Sequence, residues 1–326
     1  VASVLAWIPI AVGFWWMAGG GVQEEARVLW VDGTAEEVSI NGERRDLMTG
    51  DGVVQQRISV ADGASLWLLD RTRSILHVRG PGTYLSIGGV IRSANDAGSE
   101  PFARSAAFFI PPPVEDAPGT ILGVPDGTPA SHLEGTPRHT MVAEGQPLLR
   151  WAVAGPEVSY DLVLEQRQLD GSMRPVERWR GMRGGVHAPP SRLVPGRWYR
   201  WTVSRTGWID RDGITAAVDP LRTSWFRVLP AKAHARVRAQ LEECDALEDA
   251  GDQARPGLAS AAAVLRVEIL EAHGLFQDAE DAWAALARAH PDDPGIARRL
   301  QRMQHRSIRP PERGWRFPLL SELELL

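Results

Sequence analysis

Aspartates alternate in Asp210-Arg211-Asp212-Gly213, a pattern in which a loop offers carboxylate oxygens to a hard cation such as calcium. The third acidic position and the distal bidentate glutamate of a complete calcium loop are missing, so the stretch reads as a polar turn. The only lysine, Lys232, follows Ala231, which excludes a Gly-Lys phosphate loop and a Ser-x-x-Lys pair. No His-Glu-x-x-His motif occurs: His132-Leu133-Glu134 is the nearest stretch, and it lies in the proline-rich region. The eight histidines are scattered, with no i, i+4 pair on an expected helix. No catalytic residue, cofactor or metal is expected, and the chain is read as a non-enzyme. Cys244 is the single cysteine, which rules out an intramolecular disulfide and predicts a thiol buried on a helix face.

Thirteen tryptophans stand against three tyrosines. Most fall at alternating or strand-terminal positions, where a sandwich core takes large residues. Exposed ones would offer stacking surfaces to sugars or to protein partners. Trp179, Trp208, Phe276 and Trp283 are the candidate interaction residues. A net charge of −5 gives no basic footprint, so no nucleic-acid partner is expected.

The elements that must carry these residues begin with an uncharged stretch, Val1 to Gln23. As a helix, Val1–Ala18 would reach roughly 27 Å, close to the ~30 Å hydrocarbon core of a bilayer. Trp15 and Trp16 stand where an interfacial aromatic belt would lie, just before Gly19-Gly20-Gly21. No basic residue precedes Arg27, which favours an uncleaved anchor, while small residues at 18–21 leave cleavage of a signal as the alternative. Residues 1–21 are thus expected to be a transmembrane anchor or signal, with membrane contact through 1–18. The bulk of the chain is expected in the periplasm, tethered to the inner membrane or released after cleavage. Val1 and the near absence of lysine fit a GC-rich bacterial gene. They leave open an upstream segment, through which alone a cytoplasmic regulator would be a partner.

Residues 28–91 read as short alternating strands divided by glycine turns, a small all-β domain. The Asn41-Gly42 turn, Leu47-x-x-Gly50-Asp51-x-Val53, Ala64-Ser65-Leu66-Trp67-Leu68 and Gly80-Pro81-Gly82-Thr83-Tyr84-Leu85 resemble the FecR-type domain. The resemblance covers about a fifth of the chain. It implies a periplasmic β module that follows a membrane helix and either relays envelope signals or serves as an envelope module. The family's acidic-Gly-Ser turn is present only loosely, as Asp62-Gly63-Ala64-Ser65.

Residues 92–146 form a proline-rich linker, with one strand expected at 106–110 to pair with the first β unit. Residues 147–230 then show strand patterns at Leu148–Trp151, Ser159–Glu165, Glu177–Trp179, Trp198–Val203 and Trp225–Val228, the spacing of an antiparallel sandwich. Trp151, the Tyr160 strand, Leu193-Val194-Pro195-Gly196-Arg197-Trp198-Tyr199-Arg200-Trp201 and Ser224–Val228 resemble a fibronectin type III or immunoglobulin-like domain. That resemblance implies spacing or binding.

Residues 231–305 are helical. Val237, Leu241, Cys244 and Leu247 mark one helix face, expected to stop at Gly251. Runs at 258–273 and 278–290 follow, and a fourth helix starts near Pro294. Gly274, Phe276, Ala279, Trp283 and Pro291 resemble a single tetratricopeptide repeat, implying helix packing or protein docking. Residues 306–326 are a tail ending in an alternating Leu/Glu run. The expected fold is mainly β with a C-terminal α-helical part: transmembrane helix, small FecR-like β domain, β-sandwich and short helical bundle. The expected function is envelope sensing or signal relay through contacts with an envelope or membrane protein. The alternative is a cell-wall glycan binder or structural scaffold.

Overall fold

Apolar residues that alternate along short segments form strands here, and the 3.6-residue pattern after Pro230 forms helices. The computed structural model of the chain describes residues 26–38, 42–54, 57–71, 73–87, 90–94, 101–104, 136–137, 140–143, 145–153, 155–156, 158–206, 220–254 and 257–303. Among the described residues the fold is mainly β, with four sheets followed by four helices. It divides into two units, Val1–Ile110 and Pro111–Leu326.

The first unit holds β1 (Ala26–Asp32), β2 (Ala35–Val38), β3 (Arg44–Asp46), β4 (Gly52–Val53), β5 (Arg57–Val60), β6 (Ser65–Asp70), β7 (Ser74–Arg79), β8 (Gly82–Ile87), β9 (Val90–Ser93) and β10 (Pro101–Arg104). They make two antiparallel sheets, β10-β7-β6-β1-β4 and β3-β2-β5-β8-β9. Val28, Leu66, Leu68 and Val78 of the first sheet share one core with Ile58, Val60, Tyr84 and Ile91 of the second. Trp67 and Ile75 lie on the opposite face of the first sheet and are also buried. This two-sided burial explains why Leu66-Trp67-Leu68-Leu69 is continuously apolar rather than alternating.

The Gly80-Pro81-Gly82 turn has a steric reason: a Cβ on Gly80 would lie 1.6 Å from the Ala61 carbonyl oxygen. Tyr84 clasps that turn, its hydroxyl donating to the Arg79 carbonyl at 2.7 Å. The strand expected at 106–110 lies outside the described residues. The strand that extends the first sheet beyond residue 91 is β10, which starts on Pro101 at an edge, where a missing N–H costs no ladder bond.

The second unit holds β11 (Thr140–Val142), β12 (Leu149–Arg150), β13 (Ser159–Arg167), β14 (Met173–Met182), β15 (Val186–His187), β16 (Trp198–Thr206) and β17 (Pro220–Val228). A five-stranded sheet runs β11-β17-β16-β13-β14, and β12 pairs with β15. All pairs are antiparallel except β11 with β17. Leu149 and Trp151 from the small sheet enter the same core as Tyr160, Leu162, Leu164, Tyr199, Trp201 and Phe226 from the large one.

Four helices follow: α1 (Ala231–Ala254), α2 (Leu258–Ala272), α3 (Phe276–Ala289) and α4 (Pro294–Met303). Gly251 does not stop α1, which continues to Ala254. The glycine serves close packing instead, because a Cβ there would sit 2.6 Å from the Ala259 nitrogen. Gly274, at φ +72°, makes the left-handed turn after α2. Asp293 caps α4, accepting from the Gly295 and Ile296 amides at 2.7 and 3.1 Å, with Pro294 at the first helical position. Among the described residues no helix is long and apolar enough to cross a membrane. Residues 1–21, read as anchor or signal, lie outside them.

Candidate interaction site

The long strand β14 sits at the edge of the large sheet. Its residue Trp179 stands opposite Leu162 in the ladder, packs against the core and stays half-buried. Across the sandwich, His187 on β15 stands opposite Leu149 of β12. The Trp179 and His187 rings meet at 4.3 Å between centroids, tilted by 59°. Period-2 alternation puts Glu177 on the same face of β14 as Trp179, and Trp151 on the same face of its strand as Leu149. The four side chains therefore border the rim where the two sheets part.

Three polar atoms at this rim are screened from solvent and have no hydrogen-bond partner among the described residues: Trp151 Nε1, Glu177 Oε2 and His187 Nε2. They are a donor, an acceptor and an imidazole nitrogen, and buried polar atoms of this kind call for a partner. Burial lowers the His187 pKa below its ordinary value, while the neighbouring Glu177 charge pulls it upward.

The outer face of the same sheet carries a second arrangement. Trp198 stands opposite Arg227, Arg200 opposite Trp225, and Thr202 opposite Thr223. The Arg227 guanidinium lies 5.9 Å from the Trp198 ring centre, and that of Arg200 lies 5.5 Å from the Trp225 ring. Arg200 also bonds Glu165 on β13 at 2.6 Å. Trp198 and Trp201 both lie on β16. Three residues apart on a strand, they face opposite ways, so only Trp201 enters the core, where its Nε1 donates to the Pro137 carbonyl at 3.0 Å. The alternation in Trp198-Tyr199-Arg200-Trp201 was the signal that could have separated them.

Of the other candidate residues, Trp208 lies outside the described residues, as does the Asp210–Gly213 turn. Phe276 opens α3 and is half-buried. Trp283 needs correcting as a contact residue. It is fully buried, and its Nε1 donates to Glu271 Oε1 at 2.6 Å. Its size and its position on the inner face of α3 make it a core residue. Glu271 belongs to a buried ionic cluster in which Arg299 of α4 lies 2.9 Å from Glu268 and 4.0 Å from Glu271 of α2. This cluster pins three helices together.

The helices are tied to the sheet through β11. The Met141 amide donates to the Gly274 carbonyl at 2.8 Å, in the turn between α2 and α3. The Thr140 hydroxyl accepts from the Gln277 amide at 3.3 Å. Leu275 occupies the N-cap of α3 and has no capping side chain, so a threonine more than a hundred residues earlier supplies that acceptor. Cys244 is buried, and its thiol is pushed up to about 12, chiefly by desolvation. That thiol stays protonated and is not a nucleophile. No grouping of metal ligands occurs among the described residues.

No protein-family model, curated protein or solved structure matches this chain.

Proposed function

We propose that this chain is a non-enzymatic binding protein of the bacterial envelope. Held to the inner membrane through residues 1–18, or released to the periplasm after cleavage, it senses or relays through protein contacts. Its parts are a FecR-like β domain, a fibronectin type III or immunoglobulin-like sandwich and a tetratricopeptide-like helical block.

One observation carries the binding reading. The order β11-β17-β16-β13-β14 facing a β12-β15 pair is closed by the Tyr199 hydroxyl, which accepts from the Val194 amide at 2.8 Å. A tyrosine at the start of the penultimate strand bonded to backbone just upstream recurs in that sandwich class, and this supports the reading. Such domains present rims and edges to partners, and here the rim holds Trp179 and His187. The two sheets over one core and the Gly80-Pro81-Gly82 turn clasped by Tyr84 support the FecR-like reading of the first unit.

The unpartnered atoms around Trp179 favour a second reading, in which the rim takes a cell-wall glycan whose hydroxyls satisfy Trp151, Glu177 and His187. Retention of the purified chain on cell-wall sacculi separates the two. The protein-contact reading expects wild type and Trp179→Ala to pass through alike. Retention of the wild type, reduced several-fold in Trp179→Ala, would replace it with the glycan reading.

A further inference from the structure

The outer face of the large sheet is basic, although the chain as a whole carries a net charge of −5. Trp179 packs against the core, so the period of two sets Arg178 and Arg180 on the outer face, and both are exposed. Arg178 stands opposite Val163 and Arg167 opposite Met173, while Arg200 and Arg227 join the face through the tryptophan ladder. Among the described residues these five arginines share it with two carboxylates. Both carboxylates are engaged: Glu165 with Arg200 at 2.6 Å, and Asp161 as acceptor from the Gly181 amide at 3.0 Å.

The β13–β14 hairpin ends beside this face in a tightly bonded turn. The Gln168 amide donates to the Ser172 carbonyl at 2.8 Å, and the Ser172 hydroxyl donates to Asp170 at 2.6 Å. Turns of this kind favour small and polar residues. This one carries Leu169, 91% exposed, with half-buried Met173 on the first rung below it.

An apolar tip projecting beside a flat array of arginines and tryptophans matches anionic headgroups lying over hydrocarbon. An acidic protein segment would match the arginines but leave Leu169 in water. We propose that the second unit docks on an anionic phospholipid surface, with Leu169 inserted and Arg167, Arg178 and Arg180 against the headgroups. The contact needs no membrane span, so it stands apart from the anchor reading of residues 1–18.

An environment-sensitive fluorophore on Ser172→Cys in the full chain tests this. Cys244 is buried and its thiol stays protonated, so labelling of the native chain is directed to position 172. Vesicles of equal parts phosphatidylglycerol and phosphatidylcholine should raise and blue-shift the emission, and a lipid-borne quencher should remove that gain. Vesicles of phosphatidylcholine alone should leave the emission unchanged even where residues 1–18 hold the chain to them, which flotation of the same mixtures reads separately. Arg178→Glu with Arg180→Glu should remove most of the gain, whereas Arg178→Lys with Arg180→Lys should keep it. Leu169→Asp should abolish the blue shift. These positions are exposed, and far-UV circular dichroism verifies that the variants fold. No change on anionic vesicles, an equal change on neutral ones, or a change indifferent to the Leu169 and arginine-to-glutamate variants would overturn the proposal. A response to polyglutamate without one to the vesicles would overturn it in favour of an acidic protein partner.

Discussion

The Tyr199 hydroxyl ties the approach to β16 at Val194, and the ring beneath it stacks on Phe226 at 5.5 Å. Tyr199→Phe keeps the ring and removes only the hydroxyl bond. Because the Val194 amide is then left short of its acceptor, the loss should be about 1–2 kcal/mol in urea unfolding, with the m-value unchanged. His187 gives a pH signature. Its folded pKa lies below the unfolded value near 6.5, so the unfolded chain binds the proton more readily. The stabilisation is complete above that unfolded value and is lost as pH falls through the folded one. Unfolding midpoints should therefore drop on acidification below about pH 6.5. His187→Gln should flatten that part of the profile; an unchanged slope would mean another group governs it.

At the scale of elements, β11 decides how the second unit holds together. One edge of this three-residue strand pairs with β17, and its other side bonds the α2–α3 turn and caps α3. Thr140→Val preserves shape and removes the cap. It should destabilise the unit by about 0.5–2 kcal/mol and speed exchange at the Gln277 amide before the sheet amides. Uniform acceleration everywhere would show that the threonine acts on the whole unit rather than on the helix start. These links were not legible in the sequence, because a cap supplied from a distant strand leaves no local pattern. The long strands were legible: Tyr160, Leu162 and Leu164 alternate plainly, and so do Ile58 and Val60. β15 was not, since Val186-His187 is too short for any period, and with it went the meeting of Trp179 and His187. Gly251 misled because a glycine that ends a helix and one that admits a neighbour look alike in one sequence. Trp283 had the right spacing for a repeat helix, yet spacing alone does not separate a groove-filling residue from a contact residue.

At the scale of the whole molecule, an apolar opening sequence precedes two β-rich units, the second of which carries a helical block fastened to it by hydrogen bonds. Trp179 stays half-buried at the rim and the Trp/Arg ladder lies on the outer face of the sheet, whereas Cys244 and the Glu268–Arg299 pair are internal. The central claim, an envelope protein displaying these surfaces on the periplasmic side, is tested most directly by protease treatment of spheroplasts prepared from cells making the intact chain. External protease should digest the chain while a cytoplasmic control protein survives. A chain that withstands protease until the cells are lysed, and then appears in the soluble cytosolic fraction, would contradict it.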